Sequence, residues 1–200
     1  MAIKTEDDPE FLSRLAAGDR EAFAWLFRQY NAGMIRLATT ILKNRASAEE
    51  VAQEAWLSVL THIGQFESRS SLAGWVFTIL VNAARRRAAQ DGRAILFDPV
   101  DDRDPLADSF DAQGKWQHPP ERWESLTAEH IVSDRQLLAQ VEQAISQLPP
   151  AQRSVLILRT QSGMEAADIC RILGISDSNM RVLLHRARQT LKQMLGEFPG

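Results

Sequence analysis

Apolar residues recur along the chain at helical spacing. In the segment "DREAFAWLFRQY", Phe23, Leu26, Phe27 and Tyr30 occupy positions i, i+3, i+4 and i+7, which share one helical face. Similar stripes are Val51, Ala55, Val59 and Ile63; Leu72, Trp75, Val76, Ile79, Leu80 and Ala83; Leu137, Leu138, Val141, Ile145 and Leu148; and Met180, Leu184, Ala187 and Leu191. No segment of useful length alternates with the period of a β-strand. The pattern therefore predicts an all-α protein.

Residues that begin and end helices divide these stripes into separate elements. Pro9 is predicted at a first helical position and Gly18 at a helix end. The segment "SAEE" predicts a capping box, in which Ser47 caps a free N–H group and Glu50 reaches back to the Ser47 N–H. Pro150 is expected to start a helix late in the chain. The elements are thus short helices joined by turns.

Charge is distributed unevenly along the 200 residues, whose net charge is -3. Residues 1–94 hold 12 Lys/Arg and 11 Asp/Glu, residues 95–133 hold 3 and 9, and residues 134–200 hold 8 and 6. The acidic middle also contains half of the prolines and shows no sustained helical period. We therefore predict two small helical domains, 1–94 and 131–200, joined by an acidic, proline-containing linker at 95–130.

Composition excludes several classes of protein. The single cysteine, Cys170, rules out an internal disulfide, and the four histidines lack metal-ligand spacing. No Ser/His/Asp constellation or phosphate-binding loop is evident, so we expect no catalytic site, no metal and no cofactor. The N-terminus lacks the order of a signal peptide, and the apolar run at 75–81 is shorter than the ~20 residues of a membrane helix. These features predict a cytoplasmic protein.

The segment "MEAADICRILGISDSNMRVLLHRARQTLKQML" predicts a helix-turn-helix. Gly174 gives the turn its backbone freedom, and Ser176 is a candidate N-cap for the second helix. From Asn179 to Lys192 the chain carries four Lys/Arg and no acid. The face opposite the apolar stripe, with the helix start, offers Ser178, Asn179, Arg181, Val182, His185, Arg186 and Arg188. Arginine can read guanine, asparagine can read adenine, and further cations can meet phosphates. The alternative is a solvated basic helix end.

Five segments, in order, resemble one known family. They are "LAAGDREAFAWLFRQY", "AEEVAQEAWLSV", "FESRSSLAGWVFTILVNAARRR", "LPPAQRSVLILR" and "DICRILGISDSNMRVLLHRAR". Together they resemble the extracytoplasmic-function (ECF) sigma factors, which give bacterial RNA polymerase its promoter specificity. The recognition helix departs from the family pattern at Val182 and Leu183, so the resemblance implies no promoter sequence.

The resemblance implies roles for particular residues. The residues that it implies for binding to polymerase are Glu50, Gln53, Glu54 and Leu57. The residues that it implies for reading and melting the minus-ten element are Gln65, Phe66, Ser68, Arg69, Trp75, Asn82, Arg85, Arg86 and Arg87. The recognition helix would read the minus-thirty-five element. The alternatives are that Glu50 is only a capping acid, that Phe66 and Trp75 are core residues, and that the arginines form a solvated helix end.

The resemblance also implies partners: core RNA polymerase, promoter DNA and an anti-sigma factor that can hold the protein at the membrane, with the free chain a monomer. The linker acids could imitate a phosphate chain in a polymerase channel or form a solvated spacer. Trp116 and Trp123 are expected to dock on a domain or a regulator. Two other functions fit parts of the chain: a dimeric helix-turn-helix regulator that acts without polymerase, and an adaptor that mimics a sigma factor without binding DNA.

Overall fold

A computed structural model describes residues 8–92, 135–161 and 163–196. The predicted linker, with its acids and Trp116 and Trp123, lies outside the described residues. Within them the protein consists of helices and has no strand. The helices are α1 (Pro9–Ala16), α2 (Arg20–Leu42), α3 (Arg45–His62), a 3₁₀ helix (Ile63–Gln65), α4 (Leu72–Gln90), α5 (Arg135–Gln147), α6 (Pro150–Arg159), α7 (Ala166–Leu173) and α8 (Asp177–Gly196). The all-α prediction is confirmed.

The described residues fall into two compact units. The first lies within Met1–Phe97 and Ser154–Gly174, and the second within Asp98–Arg153 and Ile175–Gly200. Helices α2, α3 and α4 pack against one another in the first unit, which also contains α7 against α4. In the second unit α5 packs against α8. None of the described helices is both long enough and apolar enough to cross a membrane.

Several helix boundaries follow the predicted signals. Pro9 is the first residue of α1, behind an Asp8 side chain that accepts a hydrogen bond from the Glu10 N–H. Pro150 begins α6, and Gly18 has the left-handed φ of +76° that ends a helical run without steric cost. These positions depend on local backbone chemistry, which is why the sequence predicts them.

The predicted capping box at the start of α3 is wrong. The N-cap is Asn44, whose side chain accepts a hydrogen bond from the Ser47 N–H at 3.0 Å. Ser47 is therefore the third residue of the helix rather than its cap. The Glu50 carboxylate instead accepts from the Arg87 guanidinium of α4 at 3.2 Å. Asparagine and serine both cap helices well, and the earlier of the two residues takes the position here.

The core of the first unit is built on fully buried side chains of α2, α3 and α4. Tyr30 and Phe77 are both 0% exposed, and their ring centroids lie 5.8 Å apart at 76°. This edge-to-face geometry is a favoured aromatic arrangement. The Trp56 indole N–H donates to the Asn31 side chain at 3.0 Å, so a buried polar group is satisfied.

One residue of the α2 stripe does not follow the prediction. Phe27 is 39% exposed, whereas Leu26 and Tyr30 are buried. Its ring lies 5.2 Å from the Trp56 ring and covers the rim of the α2–α3 contact. The buried face of α2 is therefore narrower than the predicted stripe of four apolar residues.

The second unit is held by the predicted apolar face of α8. Met180, Leu184, Ala187 and Leu191 are all buried. The Arg153 guanidinium donates to the carbonyl oxygens of Ser146 and, at 2.8 Å, Leu148. It thereby satisfies acceptors at the C-terminal end of α5.

Candidate polymerase and nucleic-acid interface

The residues predicted to bind polymerase form one exposed ridge on α3. Glu50, Gln53, Glu54 and Leu57 are spaced at i, i+3, i+4 and i+7, and all four are exposed. Leu57 is 66% exposed, and Leu60, one turn on, is 48% exposed. Two carboxylates, an amide and an exposed leucine on one helical face have the composition of a protein-binding surface. We call these four residues the α3 ridge.

The α3 ridge is joined to α4 by one ion pair. The Arg87 guanidinium lies 3.2 Å from the Glu50 carboxylate and 3.8 Å from Asp91 one turn further along α4. The Glu50 side chain is 60% exposed and the Arg87 side chain is 35% exposed. The pair therefore adds little to stability, and both charges remain available to a partner.

The predicted base-binding loop, residues 64–71, places two aromatic rings together. The Phe66 ring centroid lies 5.4 Å from that of Trp75, at an interplanar angle of 50°. Both residues are half-buried, so neither is simply a core plug. The two rings form a partly exposed aromatic surface beside Gln65, which is exposed at the end of the 3₁₀ helix.

The middle of this loop has an unusual backbone. Ser68 has a φ of +53°, in the left-handed region that non-glycine residues rarely occupy. Such conformations cluster at functional sites, where the surrounding structure maintains them. Ser68 and Arg69 are exposed, and Arg69 forms an ion pair with Glu67 within the loop.

The basic end of α4 is divided between exposed and engaged side chains. Asn82 and Arg86 are exposed. The Arg85 guanidinium donates to the carbonyl oxygen of Leu173 at 3.0 Å, at the end of α7. Arg87 pairs with Glu50. Four of the predicted melting and backbone contacts thus lie on one helix within two turns.

One constellation beside this loop was not predicted from the sequence. Asp168 of α7 is 2% exposed, accepts a hydrogen bond from the Ser71 hydroxyl and pairs with Arg171. Ser71 is the N-cap of α4 and also accepts from the Gly74 N–H at 3.0 Å. The available signal was an aspartate flanked by inward-facing residues on an amphipathic helix.

The turn into α8 has the predicted chemistry. Gly174 ends α7 with a φ of +73°, and the Ser176 hydroxyl accepts from the Asn179 N–H at 3.2 Å. Ser178 is exposed on the first turn of α8, and Arg181 pairs with Asp177 at 2.8 Å. The Asn179 amide oxygen is one of four side-chain atoms of the described residues that are buried without a hydrogen-bond partner. A buried amide oxygen of this kind is costly unless a further donor reaches it.

The placement of Val182 on the exposed face of α8 is wrong, because the residue is 1% exposed. Val182, Leu183 and Leu184 are consecutive and all buried, so α8 is covered over a wider arc than one stripe. His185 and Arg186 are half-buried, and Arg188 is exposed. Burial, and secondarily the charge of Arg188, lowers the pKa of His185.

Two models of sigma-70 regions match the chain, and they follow each other in the same order as the surfaces described above. Sigma-70 region 2 matches residues 26–94, which hold the α3 ridge, the loop and α4. Sigma-70 region 4 matches residues 138–191, which hold α6, α7 and most of α8.

Curated relatives match over nearly the whole chain. ECF RNA polymerase sigma factor SigM of Mycobacterium tuberculosis is 28% identical over 94% of this chain and 85% of its own length. RNA polymerase sigma-H factor of Pseudomonas aeruginosa is 27% identical over 96% of both chains. ECF RNA polymerase sigma factor SigW of Bacillus subtilis is 23% identical over 94% and 96%.

Two solved structures share the fold. CnrH, solved with the cytosolic domain of CnrY, is 17% identical with a TM-score of 0.52 and covers 96% of this chain and 99% of its own. The sigma factor RpoE of Bartonella quintana, solved with the anti-sigma factor NepR, is 21% identical with a TM-score of 0.51, over 90% and 99%. The two region matches and the curated relatives together place the chain in the sigma-70 family, among the ECF sigma factors.

Proposed function

We propose that this protein binds core RNA polymerase and directs transcription initiation at particular promoters. The observation that supports this most is the order of its surfaces: a carboxylate–amide–leucine ridge on α3, an aromatic and basic surface at the loop and α4, and a basic helix α8 after a tight turn. Each lies within a region that matches the sigma-70 family. The domain scheme that accompanies the proposal is 1–94 for polymerase and the minus-ten element, 95–130 as linker, and 131–200 for the minus-thirty-five element.

The α3 ridge is the proposed polymerase-docking surface. Glu50 and Glu54 supply negative charge for a basic partner, Gln53 supplies an amide, and Leu57 supplies apolar area near the centre of a contact. A curated relative is named ECF RNA polymerase sigma factor SigM, so its name assigns that protein to an RNA polymerase. The partner surface must therefore be basic at its edge and apolar where it meets Leu57.

The loop and α4 are the proposed site of promoter opening. Phe66 and Trp75 can stack on a base that has left the duplex, and Ser68, Arg69 and Gln65 lie beside them to contact its edge and phosphate. Asn82, Arg85 and Arg86 follow along α4 toward the duplex. Opening requires no catalytic group, since the opened strand only has to bind better than the duplex. The chain is thus a specificity subunit that contributes binding energy to an enzyme.

Helix α8 is the proposed reader of the upstream element. Its first turn carries Ser178 and Asn179, the residue types that contact base edges, and Arg181, Arg186 and Arg188 can contact bases or phosphates. Val182 is excluded from this set by its burial. His185 adds a charge that depends on pH.

An anti-sigma factor is the proposed regulator, because the CnrH and RpoE structures were each solved with such a partner or a partner domain. A protein that works with polymerase must act in the cytoplasm, and an anti-sigma partner can hold it at the membrane. The dimeric-regulator alternative differs in its stoichiometry and in its independence from polymerase.

Two measurements test the proposal together. Native mass spectrometry of the free chain should give a monomer, and addition of core polymerase should give a complex with one copy of the chain. The complex should then retain a subset of fragments from a random promoter library that the polymerase alone does not retain. A stable dimer that retains DNA without polymerase would instead support the dimeric regulator.

A further inference from the structure

An apolar cavity of about 200 Å³ lies where α1, the start of α2 and the end of α3 meet. Its inner wall is formed by Leu15, Leu26 and Val59, which are buried in the core of the first unit. Its outer wall includes Leu60, whose exposed fraction is 48%. The cavity therefore extends from the core to the surface. We call it the α1–α3 cavity.

The helices around this cavity supply no side chain that fills it. Gly18, in the turn between α1 and α2, lines the cavity, and a Cβ atom on Gly18 would have no other part of the protein within 4 Å. The aromatic ring of α1, Phe11, packs instead on Trp25, with ring centroids 5.2 Å apart at 80°. Because protein interiors are close-packed, an apolar space of this size costs stability, and an occupant would restore the lost contacts.

One cationic side chain lies at the cavity. Arg20, the first residue of α2, lines the cavity and is exposed. The acids on either side of it in sequence, Asp19 and Glu21, both pair with Arg14, at 2.7 Å and 4.0 Å. Arg20 itself forms no ion pair with any residue that the structure describes. Its guanidinium is therefore available to an anion, and the N-terminal end of the α2 dipole also favours negative charge.

The volume and the lining together define the chemistry of an occupant. A dry apolar cavity of about 150 Å³ in another protein holds benzene. The 200 Å³ of the α1–α3 cavity therefore accommodates a ring with one short substituent, or an alkyl chain of similar volume. A carboxylate on that substituent is ionised at neutral pH and can pair with Arg20. A neutral molecule of the same shape would leave the guanidinium unused, and an inorganic anion would gain nothing from the leucines.

We propose that the α1–α3 cavity binds a small apolar carboxylate, whose hydrocarbon body lies against Leu26 and Val59 and whose carboxylate pairs with Arg20. The inference goes beyond the proposed function, because binding requires neither polymerase nor promoter. The site takes a free acid rather than an apolar side chain of a partner protein, since such a side chain brings no charge of its own to Arg20.

An occupant of the cavity acts on the neighbouring loop at 64–71. Ile63 lines the cavity and is the first residue of the 3₁₀ helix. Its carbonyl oxygen accepts a hydrogen bond from the Phe66 N–H at 3.1 Å. A ligand packed on Ile63 therefore stabilises the turn from which the Phe66 ring projects. Only this consequence for promoter opening rests on the proposed function.

A methyl NMR titration of the full chain tests the site, with phenylacetate as the probe. Phenylacetate should bind saturably, with a Kd of about 1 mM or below. The methyl resonances of Leu60 and Ile63 should shift, whereas those of Leu57, an exposed leucine of α3 outside the cavity, should not. Absence of saturation, or shifts that spare Leu60 and Ile63, would overturn the proposal.

The charge of the ligand is tested with phenylacetamide, the neutral isostere of phenylacetate. The wild-type chain should bind the amide at least about five-fold more weakly than the acid, because the pair with Arg20 is lost. Arg20→Gln should bind the two ligands equally. The matched control is Arg28→Gln, which changes an exposed arginine of α2 outside the cavity and should behave like wild type. If the wild-type chain did not distinguish acid from amide, the assignment of a carboxylate would be wrong.

Filling the cavity tests its location independently of charge. Val59 lines the cavity with 1% exposure, so Val59→Phe directs a ring into the space that the ligand would occupy. The folded variant, checked by circular dichroism, should no longer bind phenylacetate. Persistent binding would place the ligand elsewhere and overturn the proposal. If neither small molecule bound the wild-type chain and Val59→Phe weakened binding to core polymerase, the cavity would instead receive a side chain of polymerase.

Amide hydrogen exchange tests the effect on the loop. At a phenylacetate concentration ten times its Kd, exchange of the Phe66 amide should slow by about ten-fold, because opening of the turn releases the ligand. Unchanged exchange at saturation would overturn the effect on the loop. These measurements use the free chain, so a chain that binds phenylacetate as described but supports no promoter-specific transcription would overturn the proposed function alone.

Discussion

The Arg87 guanidinium of α4 pairs with the Glu50 carboxylate of α3 at 3.2 Å. This pair links the residue proposed for the promoter backbone to the residue that opens the polymerase-docking ridge. Because both side chains are substantially exposed, each can change partner at little cost. The two proposed functional surfaces of the first unit are therefore adjacent, and single substitutions can test their roles separately.

Replacement of Glu50 tests the docking surface. Glu50→Gln should change the free energy of unfolding by less than about 1 kcal/mol, because the Arg87 pair is exposed. It should weaken binding to core polymerase about five-fold or more, equivalent to about 1 kcal/mol, because a charge on the ridge is lost. Fluorescence titration of labelled chain with core polymerase measures the affinity.

Glu49 provides the matched control, since it lies on the same helix and pairs with Arg45 at 2.8 Å. Glu49→Gln should bind core polymerase like wild type. If Glu50→Gln also did so, the α3 ridge would not be the docking surface through its charge.

Arg188 tests the contact of α8 with the phosphate backbone. The side chain is exposed on α8, so Arg188→Ala should leave folding intact. In the assembled complex, the slope of log affinity for promoter DNA against log salt should become less negative by about 0.9, the value for one lost phosphate contact. Arg28→Ala, an exposed change on α2, should leave the slope unchanged. An unchanged slope in Arg188→Ala would place this residue outside the interface.

We expect His185 to make DNA binding dependent on pH. Burial lowers the pKa of its imidazole below the ordinary 6.5, so the free chain carries it neutral at pH 7. Phosphates beside it would favour the imidazolium, so binding takes up a proton and affinity should rise as pH falls from about 7.5 to about 6. In His185→Gln this part of the pH dependence should disappear from anisotropy titrations; persistence of the full dependence would assign it elsewhere.

The same shift has a consequence for folding. Because the folded state holds the proton less tightly than the unfolded state, His185 costs no stability above pH 6.5. Below that pH the unfolded chain takes up the proton first, so the free energy of unfolding should decrease as pH falls from 6.5 toward the lowered pKa. The effect should be modest, since the side chain is half-exposed, and it should be absent in His185→Gln.

Phe77 tests the core that positions α4. It is fully buried and packs edge-to-face on Tyr30, so Phe77→Ala should lower the free energy of unfolding by about 3–5 kcal/mol. Leu57→Ala, which removes a leucine that is 66% exposed, should cost less than about 0.5 kcal/mol. Urea denaturation followed by circular dichroism compares the two. If Phe77→Ala lowered the free energy of unfolding no more than Leu57→Ala does, the result would contradict the described core.

Much of the fold was predictable because it depends on neighbours in sequence. The Ser176 cap, the Gly174 turn and the buried stripe of α8 follow from local hydrogen bonding and helical spacing. The cap of α3 was mispredicted because Asn44 and Ser47 compete for one role and only the backbone decides between them. Val182 was misplaced because the width of a buried face depends on what packs against it.

The site was predictable in part for the same reason. The α3 ridge lies on one helix, so its spacing alone brings its residues together. The Ser71–Asp168 hydrogen bond joins positions 97 residues apart, so the position of Asp168 on an amphipathic helix indicates a buried carboxylate but not its partner. The glycines at 33 and 74 carried the clue, since a glycine inside a helix has a cost that close approach of another segment can explain.

The most direct test of the account is run-off transcription with purified core polymerase across a promoter library. We predict transcripts from a defined subset of promoters that appear only when this chain is added and that decrease when Phe66 and Trp75 are both replaced by alanine. Transcription no more selective than that of core polymerase alone would contradict the central claim.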